Sequence, residues 1–441
     1  MKTSSPYTAR VHQPFPRLSV GHSRELLPSD AGTRAESSLV NGIEDDACCR
    51  EEMSLEPDRE SSCASDKLIE HEPEKKGTNE MLSSELPKPI TEGGRTGKQR
   101  DASAIRWAPI NIPLRRRLQT LVVLFHTLCM ALSVSLFFFL FAIPIFWPLL
   151  VPYMLYCMYS TSSTSGDLSH RSPFLRSLSV WDLFATYFPA RLHRSQNLIA
   201  TRKYIFGYHP HGIISMGAFA AFCTESLGFA TLFPGIENTL LTLDSNFRIP
   251  IYRDYALAMG LASVSKESCE NLLSKGGINN EGMGRAITIV IGGARESLNA
   301  QPGTLRLVLK RRKGFVKMAF RTGADLVPVL GFGENDLYDQ VQPDEYPNIY
   351  RLQLLVKKLL GFTIPLFHAR GIFNYDMGLM PYRRPMNIVV GRPILVEQNH
   401  DPGQEQIDHV HEQYVQELER IWNMWKNEYA PYRKEELVFV R

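Results

Sequence analysis

Residues 203–212 read Lys-Tyr-Ile-Phe-Gly-Tyr-His-Pro-His-Gly. The first five form an apolar and aromatic run that predicts a buried strand, and residues 213–223 carry apolar side chains at near-helical spacing. His209 and His211 therefore lie at a predicted strand-to-helix turn. An imidazole titrates near neutrality, and the N–H groups of a helix start favour negative charge. The pattern predicts a site of proton transfer at this turn.

Strand-like and helix-like stretches alternate between residue 171 and residue 441. Residues 286–291 form a nearly continuous apolar run, as expected of a strand buried on both faces. Further predicted strands are 326–330 and 386–390. Predicted helices are 266–275 with Ser265 as its cap, 314–323, and a terminal helix whose apolar stripe runs from Ile407 to Trp425. The alternation predicts a single α/β domain over residues 171–441.

The first 104 residues have a different composition from the rest of the chain. They are rich in Ser, Glu, Lys, Pro and Gly, and they carry 14 Lys and Arg against 19 Asp and Glu. Such a segment cannot bury enough apolar surface to offset the entropy that ordering would remove. We therefore predict that residues 1–104 are disordered. A targeting peptide is the weaker alternative, because the first 30 residues lack an apolar core of signal-peptide length.

Residues 118–166 contain no Lys, Arg, Asp or Glu. The part from 118 to 143 would span roughly 39 Å as a helix, which is enough to cross a bilayer. Pro144, Pro148 and Pro152 then interrupt the apolar run. Arginines flank the segment on both sides, which favours cytosolic ends. We predict a membrane-embedded helical hairpin within residues 105–170, with a single span as the alternative.

The cysteines and histidines give no strong metal signature. The spacing of the seven cysteines fits neither a zinc site nor a disulfide framework, so a reducing compartment is predicted. His209 and His211 could offer two ligands, and His368 is left open as a third. We predict no bound metal.

Several separated motifs resemble those of type 2 diacylglycerol acyltransferases. They are Tyr187-Phe188-Pro189, His209-Pro210-His211-Gly212, residues 292–298, residues 312–319, and the continuation through 323–328 to 332–336. Each motif alone is weak, but their order and spacing together are specific. The resemblance covers about residues 106–441 and leaves the acidic N-terminal segment without a counterpart.

That resemblance implies an enzyme that makes triacylglycerol from acyl-CoA and diacylglycerol. It implies a glycerolipid-acyltransferase-like domain with a mixed sheet flanked by helices, acyl-CoA as co-substrate, no bound cofactor and no nucleic-acid partner. It also implies a cytosol-facing protein of the endoplasmic reticulum membrane that associates with lipid droplets. Homo-oligomerisation is left open. Monoacylglycerol, a long-chain alcohol or a sterol are alternative acceptors, and an inactive lipid-binding protein is the remaining alternative.

The turn supplies the predicted catalytic residues. Direct acyl transfer needs a base for the alcohol proton and donors for the oxyanion. We predict His211 as the base and Glu296 as a carboxylate that orients the His211 ring. His209 is expected to orient the turn or to bind substrate, and the helix-start amides near Gly212 and Ile213 are the expected donors. The alternatives are structural imidazoles and a Glu296–Arg295 pair. A serine hydrolase using Ser215 is disfavoured, because two residues instead of one separate Gly212 from the serine.

The predicted substrate-binding residues come from the same motifs. They are Pro210, Gly212, Tyr187, Phe188, Pro189, Arg312, Gly314, Phe315 and Lys317. The basic run 310–313 is a candidate for CoA phosphates or anionic headgroups, with a solvated basic face as the alternative.

Overall fold

The computed structural model describes residues 106–109, 111–340, 348, 351–353, 355 and 366–440, and a seven-stranded sheet lies at its centre. The predicted disordered segment 1–104 lies outside the described residues. In chain order the described strands are β1 Arg191–Arg194, β2 Lys203–His209, β3 Glu237–Thr242, β4 Ala262–Ser263, β5 Arg285–Val290, β6 Arg306–Val308, β7 Ala324–Phe332, β8 Asp339–Gln340, β9 Phe367–His368, β10 Asn387–Val390 and β11 Val438–Val440.

The central sheet is mixed, as predicted. Its strand order is β1-β10-β7-β2-β5-β3-β4. The five strands from β7 to β4 are parallel, whereas β10 runs antiparallel to β7 and pairs in parallel with β1. Because β2 lies between β5 and β7, the carboxyl ends of these three strands meet at one edge of the sheet.

Helices cover both faces of this sheet. The described α-helices are α1 Leu114–Phe141, α2 Trp147–Tyr159, α3 Pro173–Arg176, α4 Val180–Tyr187, α5 Met216–Ala218, α6 Phe229–Leu232, α7 Tyr252–Ala258, α8 Lys266–Ser274, α9 Gly293–Ser297, α10 Gly314–Thr322 and α11 Gln404–Tyr429. The predicted helices 266–275 and 314–323 and the terminal helix are confirmed. Ser265 caps α8 as predicted, since its hydroxyl accepts from the Ser268 N–H at 3.2 Å.

Alternation along the strands sends side chains into two separate apolar layers. In β2, Tyr204, Phe206 and Tyr208 enter the layer that also contains residues of α1, α4 and α7. Ile205 enters the opposite layer, which contains residues of α8, α10 and α11. Gly207 and then His209 continue the Ile205 series, so the His209 side chain points toward α11.

The helix that follows the His-Pro-His-Gly turn begins later than predicted. Residues 212–215 form a turn, α5 begins at Met216, and a π-helix continues it over Phe219–Cys223. Gly212 and Ser215 have φ values of 58° and 54°, which right-handed helices do not allow. The prediction of a helix from residue 213 was therefore wrong at its start.

Helix α1 contains the predicted apolar segment. Its 28 residues are long and apolar enough to cross a membrane, judged by length and composition. One side of α1, with Val122 and Val123, is buried against the domain, and the other exposes leucine and phenylalanine side chains. A 3-10 turn at Pro144–Phe146 separates α1 from α2 at the predicted break. The membrane hairpin itself stays a prediction.

Candidate active site

Two buried glutamates flank the His-Pro-His-Gly turn at the carboxyl edge of the sheet. The turn follows β2, Glu296 follows β5, and Glu334 follows β7. Each glutamate is only 2 % exposed. The neighbouring positions of the three strands in the sheet therefore bring both carboxylates to the turn that carries the histidines.

Glu296 holds the backbone of the turn. One carboxylate oxygen accepts from the His211 N–H at 2.6 Å, and the other accepts from the Val308 N–H at 2.7 Å. Glu296 therefore lies beside His211, as predicted. Its carboxylate contacts the His211 backbone, however, so the prediction that it orients the imidazole ring was wrong. The difference arises because adjacent parallel strands place the carboxylate beside the main chain of the turn.

Glu334 holds the start of the following helix. It accepts from the N–H groups of Met216 at 2.7 Å and Gly217 at 2.8 Å, and from the Tyr208 hydroxyl at 2.7 Å. These are the amides at the observed start of α5, so they are engaged by the carboxylate; the predicted oxyanion donors near Gly212 and Ile213 precede this helix. Sequence analysis included Glu334 in a motif but gave it no role. Its position directly after β7, like that of Glu296 after β5, was the signal that could have identified it.

Glycine is required where the turn approaches Glu334. A β-carbon on Gly217 would lie 2.3 Å from the Tyr208 hydroxyl oxygen and 2.6 Å from a Glu334 carboxylate oxygen. A β-carbon on Gly212 would lie 2.7 Å from Cγ of Glu334, and Gly212 also has a positive φ. The glycines therefore let the carboxylate reach its backbone partners.

Burial shifts the protonation equilibria of the site. Desolvation raises the pKa of Glu296 and of Glu334 to about 7, although their hydrogen-bond donors oppose the shift. Desolvation lowers the pKa of His209 to about 3 and lowers the pKa of His211 from its usual 6.5. Both imidazoles are consequently neutral at pH 7.

His209 is sealed in the protein core. Its ring is fully buried, and its Nε2 lies 3.1 Å from the Tyr414 hydroxyl oxygen. That hydroxyl donates to the Gly207 carbonyl at 3.0 Å, so Nε2 of His209 must be the donor in its bond to Tyr414. His209 thus fastens the end of β2 to α11, and among the described residues it does not line the cavity next to the turn.

His211 is half-buried and lines a cavity of about 540 Å³. Its Nδ1 lies 3.1 Å from the Gly212 carbonyl oxygen, which can only accept. Nδ1 therefore carries the proton, and Nε2 keeps a lone pair, as a general base requires. The Ser215 hydroxyl donates to the His211 carbonyl at 2.8 Å, which argues against its being a nucleophile activated by the ring.

The cavity extends from His211 to the apolar helix α1. His126 and Met130 of α1 form part of its wall. The remaining wall is mainly apolar and includes Ile213, Phe219, Leu240, Leu261 and Phe367. An acyl chain or a glyceride fits such a lining, and a reacting group at the inner end would meet the imidazole.

The other predicted substrate-binding residues divide between core and surface. Tyr187 and Phe188 are buried, and the Tyr187 hydroxyl donates to the Pro381 carbonyl at 2.6 Å. Phe315 is buried against the Tyr414 ring, with centroids 4.8 Å apart.

Pro210 is buried within the turn, whereas Pro189, Gly314 and Lys317 are exposed. None of these residues is among the described residues that line the His211 cavity.

Arg312 lies at the rim of the cavity. It is exposed, and its Nη2 is 4.0 Å from the position of a β-carbon built on Gly293, which lines the cavity. Its positive charge also opposes the rise in the pKa of Glu296. Within the described ranges, no group of three or more His, Cys, Asp or Glu is arranged to hold a metal ion.

Replacing Glu334 with Gln should destabilise the protein. The amide nitrogen would face N–H and O–H donors, and each unsatisfied buried donor costs about 1–3 kcal/mol. We expect the apparent melting temperature of the detergent-solubilised protein to fall by about 5 °C or more. The matched control is Glu419→Gln on the exposed face of α11. Equal melting temperatures for the two variants would contradict the role assigned to Glu334.

Comparison with known proteins places these features in a family. A family model described as diacylglycerol acyltransferase matches residues 138–440. Diacylglycerol O-acyltransferase 2A of Umbelopsis ramanniana is 48 % identical over 339 residues, covering 76 % of this chain and 94 % of the relative. Diacylglycerol O-acyltransferase 1 of Schizosaccharomyces pombe is 45 % identical over 333 residues, covering 75 % of this chain and 94 % of the relative.

A relative with a different named acceptor matches nearly as well. The 2-acylglycerol O-acyltransferase 1 of Bos taurus is 44 % identical over 343 residues, covering 76 % of this chain and 99 % of the relative. A solved 1-acyl-sn-glycerophosphate acyltransferase from Thermotoga maritima aligns with 10 % identity and a TM-score of 0.31. The alignment covers 67 % of this chain and 97 % of that protein, and a TM-score this low does not establish a shared fold. The family match and the sequence identities lead to one conclusion: this chain belongs to the diacylglycerol acyltransferase family.

Proposed function

We propose that this protein transfers an acyl group from acyl-CoA to the free hydroxyl of diacylglycerol, forming triacylglycerol and CoA. The relatives named diacylglycerol O-acyltransferase support the reaction class. The observation that carries the proposal is the placement of His211, whose ring lines an apolar cavity reaching α1 while its Nδ1 is tied to the Gly212 carbonyl. His211 is the proposed general base.

The proposed reaction is a direct transfer. His211 Nε2 takes the hydroxyl proton as the alcohol oxygen attacks the thioester carbonyl carbon. The oxyanion then collapses, the C–S bond breaks, and the CoA thiolate receives the proton from the imidazolium. No acyl-enzyme forms, so a trapped covalent acyl-enzyme would contradict this sequence of steps.

The remaining polar groups have supporting roles in the proposal. The N–H groups of Gly212 and Ile213 donate to no protein acceptor in the described part of the chain, and we assign them to the oxyanion. Glu296 and His209 are positioning residues, because each holds the frame of the turn. Arg312, at the rim of the cavity, is assigned to a phosphate of acyl-CoA.

Monoacylglycerol is the second candidate acceptor. The Bos taurus relative named 2-acylglycerol O-acyltransferase is 44 % identical, close to the 48 % of the Umbelopsis enzyme. A cavity with an apolar wall accommodates the chains of either glyceride, so the acceptor has to be distinguished by assay.

An acceptor assay tests the proposed reaction. Membranes containing the full-length protein receive labelled oleoyl-CoA with diacylglycerol, monoacylglycerol, hexadecanol or cholesterol in parallel. We expect triacylglycerol to be the main product. His211→Ala should lower its formation by about 10²- to 10⁴-fold, since a positioned base contributes that much. His400→Ala, on an exposed histidine, is the control. Near-normal activity of His211→Ala, or preference for another acceptor, would refute the proposal.

The membrane topology is also part of the proposal. We place α1 and α2 in the endoplasmic reticulum membrane as a hairpin, with both termini in the cytosol and with lipid-droplet association. The exposed apolar side of α1 and the break at Pro144–Phe146 support a membrane-embedded pair of helices.

Protease digestion checks this topology. A tag at each terminus should be digested in sealed microsomes, because the hairpin returns the chain to the cytosolic side. A lumenal marker protein, digested only after detergent is added, is the control for sealing. Protection of one tag alone would instead establish a single span.

A further inference from the structure

A second cavity lies at the amino-terminal end of α1. Its volume is about 650 Å³, and it shares no lining residue with the His211 cavity. One wall comes from the first turns of α1, and the other comes from the chain around residues 370–383. Its polar lining is dominated by arginines, namely Arg116, Arg117, Arg370 and Arg383.

Arg383 is held in place by neutral partners. Its guanidinium donates to the Gln119 side-chain oxygen at 2.7 Å, and to the Arg116 carbonyl and the Thr120 hydroxyl at 3.0 Å each. It also lies 4.0 Å over the Tyr187 ring. This arrangement fixes the cation at the cavity without neutralising it.

Arg370 is a second fixed cation. It is 7 % exposed, donates to the Gly371 carbonyl at 3.2 Å, and lies 5.2 Å over the Tyr375 ring. Among the described residues, no Asp or Glu lies within ion-pair distance of Arg116, Arg370 or Arg383.

The positive charges of Arg116 and Arg370 therefore repel that of Arg383. Burial lowers the pKa of Arg383, and the charges of Arg370 and Arg116 lower it further. Holding the buried Arg370 and the half-buried Arg383 close together is unfavourable unless an anion compensates their charges. Planar guanidiniums fit the oxygen atoms of a phosphate group especially well.

The rest of the cavity is apolar. Leu118, Leu121 and Leu124 of α1 line it, together with Ile372 and Phe373, and Phe373 is 72 % exposed. The leucines continue into the exposed apolar side of α1. A molecule that fills this cavity should therefore combine a phosphate with long hydrocarbon chains.

We propose that this cavity binds one anionic glycerophospholipid. The phosphate lies among Arg116, Arg370 and Arg383, and the acyl chains follow the leucines of α1. The site is separate from the His211 cavity and does not depend on the proposed reaction. Free CoA carries phosphates but makes no use of the apolar wall. Acyl-CoA would use both, but its thioester has to reach the His211 cavity, which shares no lining residue with this one, and this favours the lipid.

Lipid binding to the purified full-length protein in a non-ionic detergent tests the proposal. The probes are dioleoyl-phosphatidic acid and dioleoyl-phosphatidylcholine, measured by native mass spectrometry. We expect one phosphatidic acid to bind in preference to phosphatidylcholine. Arg116→Gln should weaken it about fivefold, the contribution of one arginine at a membrane surface.

The matched control is Arg115→Gln. Arg115 precedes Arg116 on the same exposed helix turn but does not line the cavity. Its replacement should leave binding unchanged, and both exposed positions tolerate glutamine without a threat to folding. Competition with free CoA and with glycerol 3-phosphate distinguishes the sources of phosphate, and neither should displace the lipid at equal concentration.

Three results would overturn the proposal. The first is equal weakening by Arg115→Gln and Arg116→Gln, which would indicate a non-specific basic surface. The second is equal binding of phosphatidylcholine and phosphatidic acid. The third is displacement of the lipid by free CoA at equal concentration, which would make the cavity a nucleotide-phosphate site.

Discussion

Two buried carboxylates determine the shape of the turn that presents His211. Glu296 accepts the His211 N–H, and Glu334 accepts the N–H groups of Met216 and Gly217. The backbone after β2 is therefore fixed on both sides by neighbouring strands. Gly212 and Gly217 leave the space that the Glu334 carboxylate needs for these bonds.

Ionisation of these two buried carboxyl groups costs stability as the pH rises. Burial raises the pKa of each from its usual 4.5 to about 7 in the folded protein. The folded state therefore binds protons more tightly than the unfolded state, so their contribution to stability falls as the pH rises from about 4.5 to 7. Buried charge of this kind, retained beside a cavity, is typical of active sites rather than of structural cores.

Much of the fold could be predicted from the sequence, because hydrophobic periodicity reports local structure directly. The runs 286–291 and 326–330 became central parallel strands, and the stripe from Ile407 to Trp425 became α11. Tyr414 was predicted only as part of that stripe. Its hydroxyl contact with His209 joins residues 205 positions apart, and no local pattern reports such a pairing.

The sequence was enough to predict which residues form the site, but not which atoms they contact. His211 and Glu296 were expected to meet, but periodicity could not show that the carboxylate reaches the backbone instead of the ring. The turn at residues 212–215 depends on positive φ values, which apolar spacing does not encode. The arginine cavity was missed because Arg116 and Arg383 come together only in the folded chain.

The pH dependence of kcat/KM in Glu296→Gln, compared with the unsubstituted protein, tests the backbone role of this carboxylate most directly. Because Glu296 holds the His211 main chain, we predict that kcat falls by about 10- to 100-fold through misplacement of the base. The acid limb, set by the lowered pKa of His211, should stay below 6.5 at the same pH in both proteins. A shift of that limb to lower pH by about one unit would contradict the account, because it would show that the carboxylate had stabilised the imidazolium ring.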